Sequence, residues 1–362
     1  MKSRRNSMAG HTLWLVCVAL VCVPGVGAQD AQFYADKSTV LVYKDASGAE
    51  HPVASPADWA IRREHIVKNM QLVMGDLPGD EARVPLDPQV IEEVELPEFV
   101  RKKMTIAVEK GDRLPCYVLI PKNRKGKMPA MLCLHPTIPI GGGEPVGLGD
   151  RKSREYALEL AKRGYVALSP DYPGFGEYKI DVYAMDYPSA TIKGIWNHMR
   201  CVDYLQSLPE VDPERIGVIG HSLGGHNSLF VSVFDPRLKV AVTSSGFCTF
   251  GKYYEGDLTG WTHKGYMPRI ADVYGKDPKK MPFDFTEILA AIAPRAVFIN
   301  APLRDDNFDV NGVYECIEAA KPVYAMLNAS QNLEAIHPDT PHDFSDDARA
   351  AAYAFVDTVL KP

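Results

Sequence analysis

Hydrophobic and polar residues alternate in two different ways along the chain, and the pattern changes near residue 98. Before that point, the stretch 58–74 places apolar residues from Trp59 to Val73 among Arg and Lys at helical spacing, and it ends at Gly75. The pattern predicts one amphipathic helix. Its apolar residues are too few for a separate core, so we expect residues 29–98 to be an N-terminal extension that packs on a main domain.

Beyond residue 98, short apolar runs alternate with longer stretches of helical spacing, which is typical of an α/β fold with a sheet covered on both faces. We expect a mostly parallel eight-stranded sheet in a main domain of residues 99–362. The predicted strands are 103–108, 116–120, 130–134, 165–168, 216–219, 240–243, 296–299 and 323–326. The first two form an antiparallel hairpin around Gly111. The predicted helices of this part are 154–163, 192–208, 224–233, 284–292 and 313–320.

A nucleophile motif follows the predicted strand 216–219. The sequence there reads Gly220-His221-Ser222-Leu223-Gly224 and continues into a helical stretch, which matches G-x-S-x-G in its strand-to-helix context. In such a turn the flanking glycines are needed because side chains would collide with the neighbouring strand and helix. The other interpretation is a loop serine that happens to lie beside glycines. The context favours Ser222 as a catalytic nucleophile.

A serine hydroxyl needs a base to take its proton, and after this motif the partners follow in the order acid, then histidine. His342 lies just before Ser345, which is a plausible N-cap of the last helix. We therefore predict His342 as the base. His337, five residues earlier, is the competing candidate, and His226 is one helical turn after the serine and is expected to be structural.

The orienting carboxylate should follow the predicted strand 296–299, where three aspartates compete. Asp305 is the preferred candidate, Asp306 is a close second, and Asp309 is the third. Each can also be interpreted as a solvated loop charge.

Two N–H groups must stabilise the oxyanion of the tetrahedral intermediate. We expect one from Leu223 and the second from the loop after the predicted strand 130–134. Pro136 has no N–H, so Thr137 is the best candidate. His135 is expected to hold this loop in place.

The first 28 residues have the pattern of a signal peptide. Basic residues at the start are followed by an apolar run from Leu13 to Val23 and by Val26-Gly27-Ala28. We predict cleavage after Ala28 and a secreted or periplasmic protein. A membrane anchor is the alternative interpretation, but Pro24 interrupts the run and it is shorter than the roughly 20 apolar residues that span a bilayer.

The net charge of the chain is −6, and loss of the basic N-terminus would make it more negative, which argues against a nucleic-acid partner. Five cysteines would remain after cleavage, at 116, 133, 201, 248 and 316, and none of them has the spacing of a metal site. The sequence predicts no metal and no cofactor, and serine catalysis requires neither.

Taken together, these motifs resemble the bacterial α/β-hydrolase esterases that are grouped with dienelactone hydrolases and acetyl xylan esterases. The resemblance runs from about residue 100 to the C-terminus and rests on five segments: 134–137, 163–176, 220–225, the Asp305 loop and 342–344. It implies the α/β-hydrolase fold, a triad of Ser222, Asp305 and His342, and an oxyanion hole formed by Leu223 and Thr137. Dienelactone hydrolases carry a cysteine where this chain has Ser222, so an esterase fits better.

The expected function is therefore an exported serine carboxylic-ester hydrolase that acts through an acyl-enzyme. We expect its substrate to be a small-molecule or polysaccharide ester, with acetyl or other esters of carbohydrates as candidates, and we expect no membrane partner after cleavage of the signal peptide. The alternatives are a serine peptidase or amidase of the same fold and a non-catalytic binding protein. Residues 246–282 are expected to set specificity, and they carry aromatic residues that either bind a sugar ring or acyl group or are ordinary loop packing: Phe247, Tyr253, Tyr254, Trp261 and Tyr266.

Overall fold

A computed structural model describes residues 31–122 and 126–361 of the protein. The predicted signal peptide and its cleavage site lie outside these residues. The strands are β1 (Val42–Lys44), β2 (Glu50–Pro52), β3 (Gln89–Glu95), β4 (Phe99–Glu109), β5 (Asp112–Pro121), β6 (Met128–Leu134), β7 (Val166–Pro170), β8 (Val211–His221), β9 (Leu238–Ser244), β10 (Ala296–Asn300) and β11 (Leu333–Ile336). The helices are α1 (Pro56–Met74), α2 (Tyr156–Lys162), α3 (Ala190–Ser207), α4 (Leu223–Phe234), α5 (Arg269–Asp272), α6 (Phe285–Ile292), α7 (Val310–Met326) and α8 (Asp346–Leu360).

One nine-stranded sheet organises the molecule, in the order β11-β10-β9-β8-β6-β7-β5-β4-β3. The six strands from β11 to β7 in this order are parallel, and β5, β4 and β3 continue the sheet with antiparallel pairing. Strands β1 and β2 form a separate small hairpin. The predicted α/β fold with a mostly parallel sheet is confirmed. In parallel α/β sheets the ligand site lies at the carboxyl ends of the strands, which here are the ends of β8, β9 and β10.

The strand count differs from the expected eight for two reasons. The predicted strand 323–326 is wrong, because these residues form the last turn of α7, where buried Cys316, Ala320, Val323 and Tyr324 recur at helical spacing across Pro322. Strands β3 and β11 were not predicted. β3 is an acidic edge strand that is almost entirely exposed, and β11 has only four residues, so neither shows a regular apolar alternation.

Helices cover both faces of the sheet. On one face, a large apolar cluster joins the sheet to buried residues of α1, α3, α4, α6 and α7. On the other face, a smaller cluster packs α2 and α8 against the same strands. The five cysteines from Cys116 to Cys316 are buried, unpaired thiols within this core. Among the described residues no helix has both the length and the apolar character that crossing a bilayer requires.

The N-terminal segment is attached to the sheet domain through α1. Ser55 caps the helix by accepting a hydrogen bond from Asp58 N–H (3.3 Å). Arg62 is fully buried and forms an ion pair with the equally buried Glu287 of α6. Arg63 donates to the main-chain oxygen of Ala291 (2.8 Å). Strand β3 precedes residue 98 and yet belongs to the main sheet. The division of the chain near residue 98 into an extension and a main domain stays a prediction.

Candidate active site

Ser222 lies in a sharp turn between β8 and α4. Its backbone has φ 56° and ψ −116°, in a region that non-glycine residues rarely adopt. The turn is crowded: a Cβ atom on Gly220 would lie 2.2 Å from the oxygen of Gly224, and one on Gly224 would lie 2.0 Å from the oxygen of Leu134. Both glycines are therefore required by close backbone approach. Ser222 N–H donates to the oxygen of Ser244 at the end of β9 (2.8 Å), which fixes the turn against the sheet.

The loop after β10 separates the three candidate aspartates. Asp305 is almost inaccessible, with 2% of its side chain exposed, and its two oxygens lie 2.8 and 3.0 Å from Nδ1 of His342. Its Oδ1 also accepts the N–H groups of Asn307 and Phe308. Asp306 is exposed, and Asp309 caps α7 by accepting from Asn311 N–H. Of the three, Asp305 is the one that contacts a candidate base.

Two opposing effects act on the Asp305 carboxyl. Burial by itself raises its pKa, but the hydrogen bond and charge of His342, with the two N–H groups, outweigh burial and hold the pKa below its ordinary value. Asp305 is therefore charged at neutral pH. A carboxylate in this position keeps the His342 proton on Nδ1 and leaves Nε2 available as a base.

His342 and His337 have different surroundings. The His342 ring is 20% exposed and lies 4.9 Å, between centroids, from the ring of His221, the residue that precedes the serine. The His337 ring instead lies against Tyr314 (4.5 Å), and its Nδ1 is 3.1 Å from the main-chain oxygen of Ala301. The structure thus brings His342, and not His337, together with Asp305 next to the serine turn.

The last residues of β8, β9 and β10 form a polar network that the sequence interpretation missed. Asn300 donates from Nδ2 to Ser244 Oγ (2.8 Å) and to the main-chain oxygen of Asp343 (3.1 Å). Ser244 Oγ in turn contacts Nδ1 of His221 (3.0 Å). Burial, with the nearby positive charges, lowers the pKa of His221 far below its ordinary value. These residues connect the serine turn to the loop that carries His342. The sequence feature that could have indicated this network is the polar residue at the end of each of these three apolar strands.

The two expected oxyanion donors lie at the same end of the sheet. Leu223 is the first residue of α4, so its N–H is one of those left without an intrahelical acceptor, and the helix dipole favours negative charge there. Thr137 follows β6, is exposed, and its Oγ1 lies 3.3 Å from the hydroxyl of Tyr266.

His135 holds the Thr137 loop, as the sequence indicated. Its Nε2 accepts the N–H of Tyr172 (2.9 Å), and its Nδ1–H donates to the oxygen of Pro136 (2.6 Å). Acceptance at Nε2 requires a neutral ring, and burial lowers the pKa of His135 to about 4.

The segment 246–282, between β9 and α6, forms one wall beside these loops. Most of its aromatic residues are buried, including Phe247, Tyr253 and Trp261. Trp261 packs on His226 of α4, with ring centroids 4.8 Å apart, and burial lowers the pKa of His226 to about 3. His226 is therefore a packing residue, as expected. Tyr266 and Tyr274 are half-buried, and Tyr254 has 55% of its surface exposed.

The described residues contain no group of three or more His, Cys, Asp or Glu side chains that could hold a metal ion.

Several known proteins that are similar to this chain are esterases. Residues 176–328 match the profile of the family described as "Glucuronyl esterase, fungi", a range that includes Ser222 and Asp305 and ends before His342. A protein of Bacillus subtilis (strain 168) named as a hydrolase, YtaP, is 25% identical over 289 residues, which are 76% of this chain and 92% of the relative.

Solved structures of esterases share the fold. The glucuronoyl esterase from Solibacter usitatus superposes with a TM-score of 0.70 at 19% identity and covers 89% of this chain and 97% of its own. Acetyl xylan esterase 1 from Thermoanaerobacterium sp. JW/SL YS485 superposes with a TM-score of 0.56 at 16% identity and covers 77% of this chain and 89% of its own.

Proposed function

We propose that this chain, an α/β-hydrolase of the carboxylic-ester hydrolase class, cleaves carbohydrate esters through a covalent acyl-enzyme on Ser222. The recognition of the superfamily and of the enzyme class from the sequence is confirmed by the matches to esterases. The residue roles and the substrate are the proposal. The observation that carries it is the His342 imidazole, bound at Nδ1 by the buried Asp305 carboxylate beside the strained Ser222 turn.

In the first half of the proposed reaction, Ser222 Oγ attacks the carbonyl carbon of the ester while His342 Nε2 takes the hydroxyl proton. The charge of Asp305 stabilises the imidazolium that forms. The N–H groups of Leu223 and Thr137 donate to the developing oxyanion. His342 then gives the proton to the leaving alcohol oxygen, and the acyl group stays on Ser222.

In the second half, a water molecule replaces the alcohol. His342 takes its proton, the hydroxide attacks the acyl carbon, and the same two N–H groups stabilise the second tetrahedral intermediate. Return of the proton to Ser222 Oγ releases the carboxylic acid and restores the enzyme. The residues named supply the nucleophile, base, acid and oxyanion donors that acyl transfer needs.

The carbohydrate part of the proposal rests on the named relatives, which include glucuronoyl and acetyl xylan esterases. We further propose that the protein is exported, on the signal-peptide pattern of residues 1–28. Mass spectrometry of protein expressed with its own N-terminus should give a mature chain that begins at Gln29. A chain that retains Met1 would contradict export by cleavage.

The test of the function is hydrolysis of three esters by the wild type and by Ser222→Ala: p-nitrophenyl acetate, acetylated xylan and a methyl ester of glucuronate. We expect the wild type to turn over at least one sugar ester and Ser222→Ala to be inactive on all three. Turnover that survives in Ser222→Ala would contradict the serine mechanism. Turnover of the p-nitrophenyl ester alone would contradict the carbohydrate assignment.

A further inference from the structure

Tyr254 has an unusual backbone for a tyrosine. It lies at φ 44° and ψ 48°, the next residue Glu255 lies at φ 57° and ψ 27°, and Gly256 follows at φ 94°. Two consecutive non-glycine residues in the left-handed region cost roughly 1–3 kcal/mol each, and such strain concentrates at ligand-binding and catalytic sites. The surrounding contacts must offset this cost. Its effect is to hold a large, exposed aromatic side chain in a fixed position within the 246–282 segment.

The Tyr254 side chain is fixed to the loop that carries the triad acid. Its hydroxyl donates to Oδ1 of Asn307 (3.0 Å), and Asn307 N–H donates to Oδ1 of Asp305 (2.9 Å). One hydrogen-bonded residue therefore separates Tyr254 from the carboxylate that binds His342.

A series of ring contacts also connects Tyr254 to His342. Its ring packs perpendicular to Tyr253 (4.8 Å, 89°), Tyr253 lies 5.8 Å from Phe308, and Phe308 lies 6.0 Å from the His342 ring. Tyr253 and Phe308 are buried, whereas Tyr254 keeps 55% of its surface exposed. The buried rings of Tyr253 and Phe308 thus support the ring of Tyr254, which a substrate can reach.

We propose that Tyr254 is a platform on which a sugar ring of the substrate stacks at the mouth of the site. This inference rests on the proposed carbohydrate-ester function and deepens it by naming the residue that binds the sugar. The C–H face of a pyranose is apolar and packs well on an aromatic face, whereas its hydroxyl groups need acceptors at the edge. Asp306, exposed on the same loop two residues before Phe308, supplies a carboxylate for such hydroxyls.

A fixed pose favours this use. An aromatic side chain that is already ordered by its backbone, its hydrogen bond and its ring contact loses little conformational freedom when a ligand binds. The small acyl group of p-nitrophenyl acetate does not extend to a platform at the mouth of the site. Binding of sugar esters should therefore depend on Tyr254, and the chemistry at Ser222 should not.

The experiment compares Tyr254→Ala, Tyr254→Phe and, as a control at another exposed aromatic residue, Phe33→Ala, on acetylated xylo-oligosaccharides and on p-nitrophenyl acetate. Phe33 is 47% exposed on the N-terminal segment. For the oligosaccharide, we expect Tyr254→Ala to raise KM about 10-fold with kcat changed less than about 2-fold, because the stacking contact is lost and the triad is intact. Tyr254→Phe keeps the ring and should restore KM to within about 3-fold of the wild type. Phe33→Ala should match the wild type.

The result that would overturn the inference is a KM for the oligosaccharide that Tyr254→Ala leaves unchanged, or one that rises equally for p-nitrophenyl acetate. Binding of the same oligosaccharides to Ser222→Ala, measured by calorimetry with and without Tyr254→Ala, tests the platform independently of turnover. Binding that weakens about 10-fold supports it, and binding that is absent or unchanged overturns it. If the wild type does not turn over the oligosaccharides but they bind in a way that depends on Tyr254, the result contradicts the proposed function and leaves the sugar platform standing.

Discussion

The three loops of the proposed triad and the 246–282 segment border the same site but are built differently. The triad loops are held by main-chain and polar contacts between neighbouring strand ends: Ser222 N–H to Ser244, Ser245 N–H to Asn300 (2.9 Å), and Ala301 N–H to Ile336 (3.0 Å). The 246–282 segment adds to its polar contacts an aromatic cluster around Trp261, which has ring contacts with Phe250, Tyr253, Tyr266 and Phe285.

This difference in construction suits the triad loops to positioning catalytic groups and the 246–282 segment to setting substrate specificity. Hydrogen bonds at strand ends fix atoms to within a few tenths of an ångström, which positioned catalytic groups require. Aromatic packing tolerates changes in side chain and loop length more readily, and the exposed residues of such a segment can be adapted to a substrate. Substitutions in the triad loops should therefore lower kcat. Substitutions in the 246–282 segment should instead lower stability or raise KM.

The largest effect is expected at the triad acid. Asp305→Asn keeps the side-chain shape but removes the charge that holds His342, so kcat on p-nitrophenyl acetate should fall by roughly 10⁴-fold with little change in KM. Asp306→Asn is the matched control one residue away, and because p-nitrophenyl acetate carries no sugar hydroxyl, we expect this variant to retain activity on that ester to within about 3-fold. Equal losses in the two variants, measured by initial rates, would contradict the choice of Asp305.

The next effect concerns stability and contrasts two aromatic residues of the same segment. Trp261 is 3% exposed, so Trp261→Ala should lower the free energy of unfolding by about 3–5 kcal/mol. Tyr254→Ala loses one exposed hydrogen bond and one ring contact, so it should lower the free energy of unfolding by only about 1–2 kcal/mol. Urea unfolding followed by circular dichroism measures both. A Trp261→Ala variant as stable as the wild type would show that this segment is not held by packing.

A third prediction tests the second oxyanion donor. If the Thr137 N–H donates to the oxyanion, Thr137→Pro removes that donor and should lower kcat by about 10²–10³-fold. Thr137→Ala keeps the N–H and loses only the contact with Tyr266, so its kcat should stay within about 3-fold of the wild type. A large loss in Thr137→Ala would mean that the hydroxyl is needed and would refute the main-chain assignment. The folded state of both variants is checked by circular dichroism.

The smallest effect is the pH dependence that His135 adds to stability. Its pKa is about 4 in the folded protein and roughly 6.5 in an unfolded chain, so between these values the unfolded state binds the proton. Stability is therefore lost as the pH falls below about 6.5, by about 2 kcal/mol from this group at pH 5. His135→Asn should be less stable at pH 7.5 but should lose less on acidification to pH 5. Parallel urea-unfolding losses in the variant and the wild type would contradict this account.

The sequence predicted the parts of the site that follow from local chain geometry. Gly220 is dictated by a contact within the turn itself and Gly224 by the close approach of Leu134 in β6, and His342 was predicted from chain order and from the helix cap after it. The sequence separated Asp305 from Asp306 only weakly, because burial of one and exposure of the other depend on how the loop folds over His342.

What the sequence did not reveal depends on packing between distant segments. The contact of Asn300 with Ser244 joins residues 56 positions apart, and no local pattern indicates it. The short apolar run 323–326 suggested a strand, yet packing of the buried face of α7 extends that helix through Pro322 to Met326. In the same way, the sequence left open whether the aromatic residues of 246–282 bind a ligand. The structure buries Trp261 and exposes Tyr254.

The central claim is that Ser222 is a nucleophile activated by His342. Intact-mass analysis after reaction with a fluorophosphonate tests it most directly, because the probe reacts with activated serines and needs no knowledge of the substrate. The account predicts a single adduct on the wild type that peptide mapping places on Ser222, and no adduct on Ser222→Ala or, in the same reaction time, on His342→Ala. An unlabelled wild type, or a label that persists in Ser222→Ala, would contradict it.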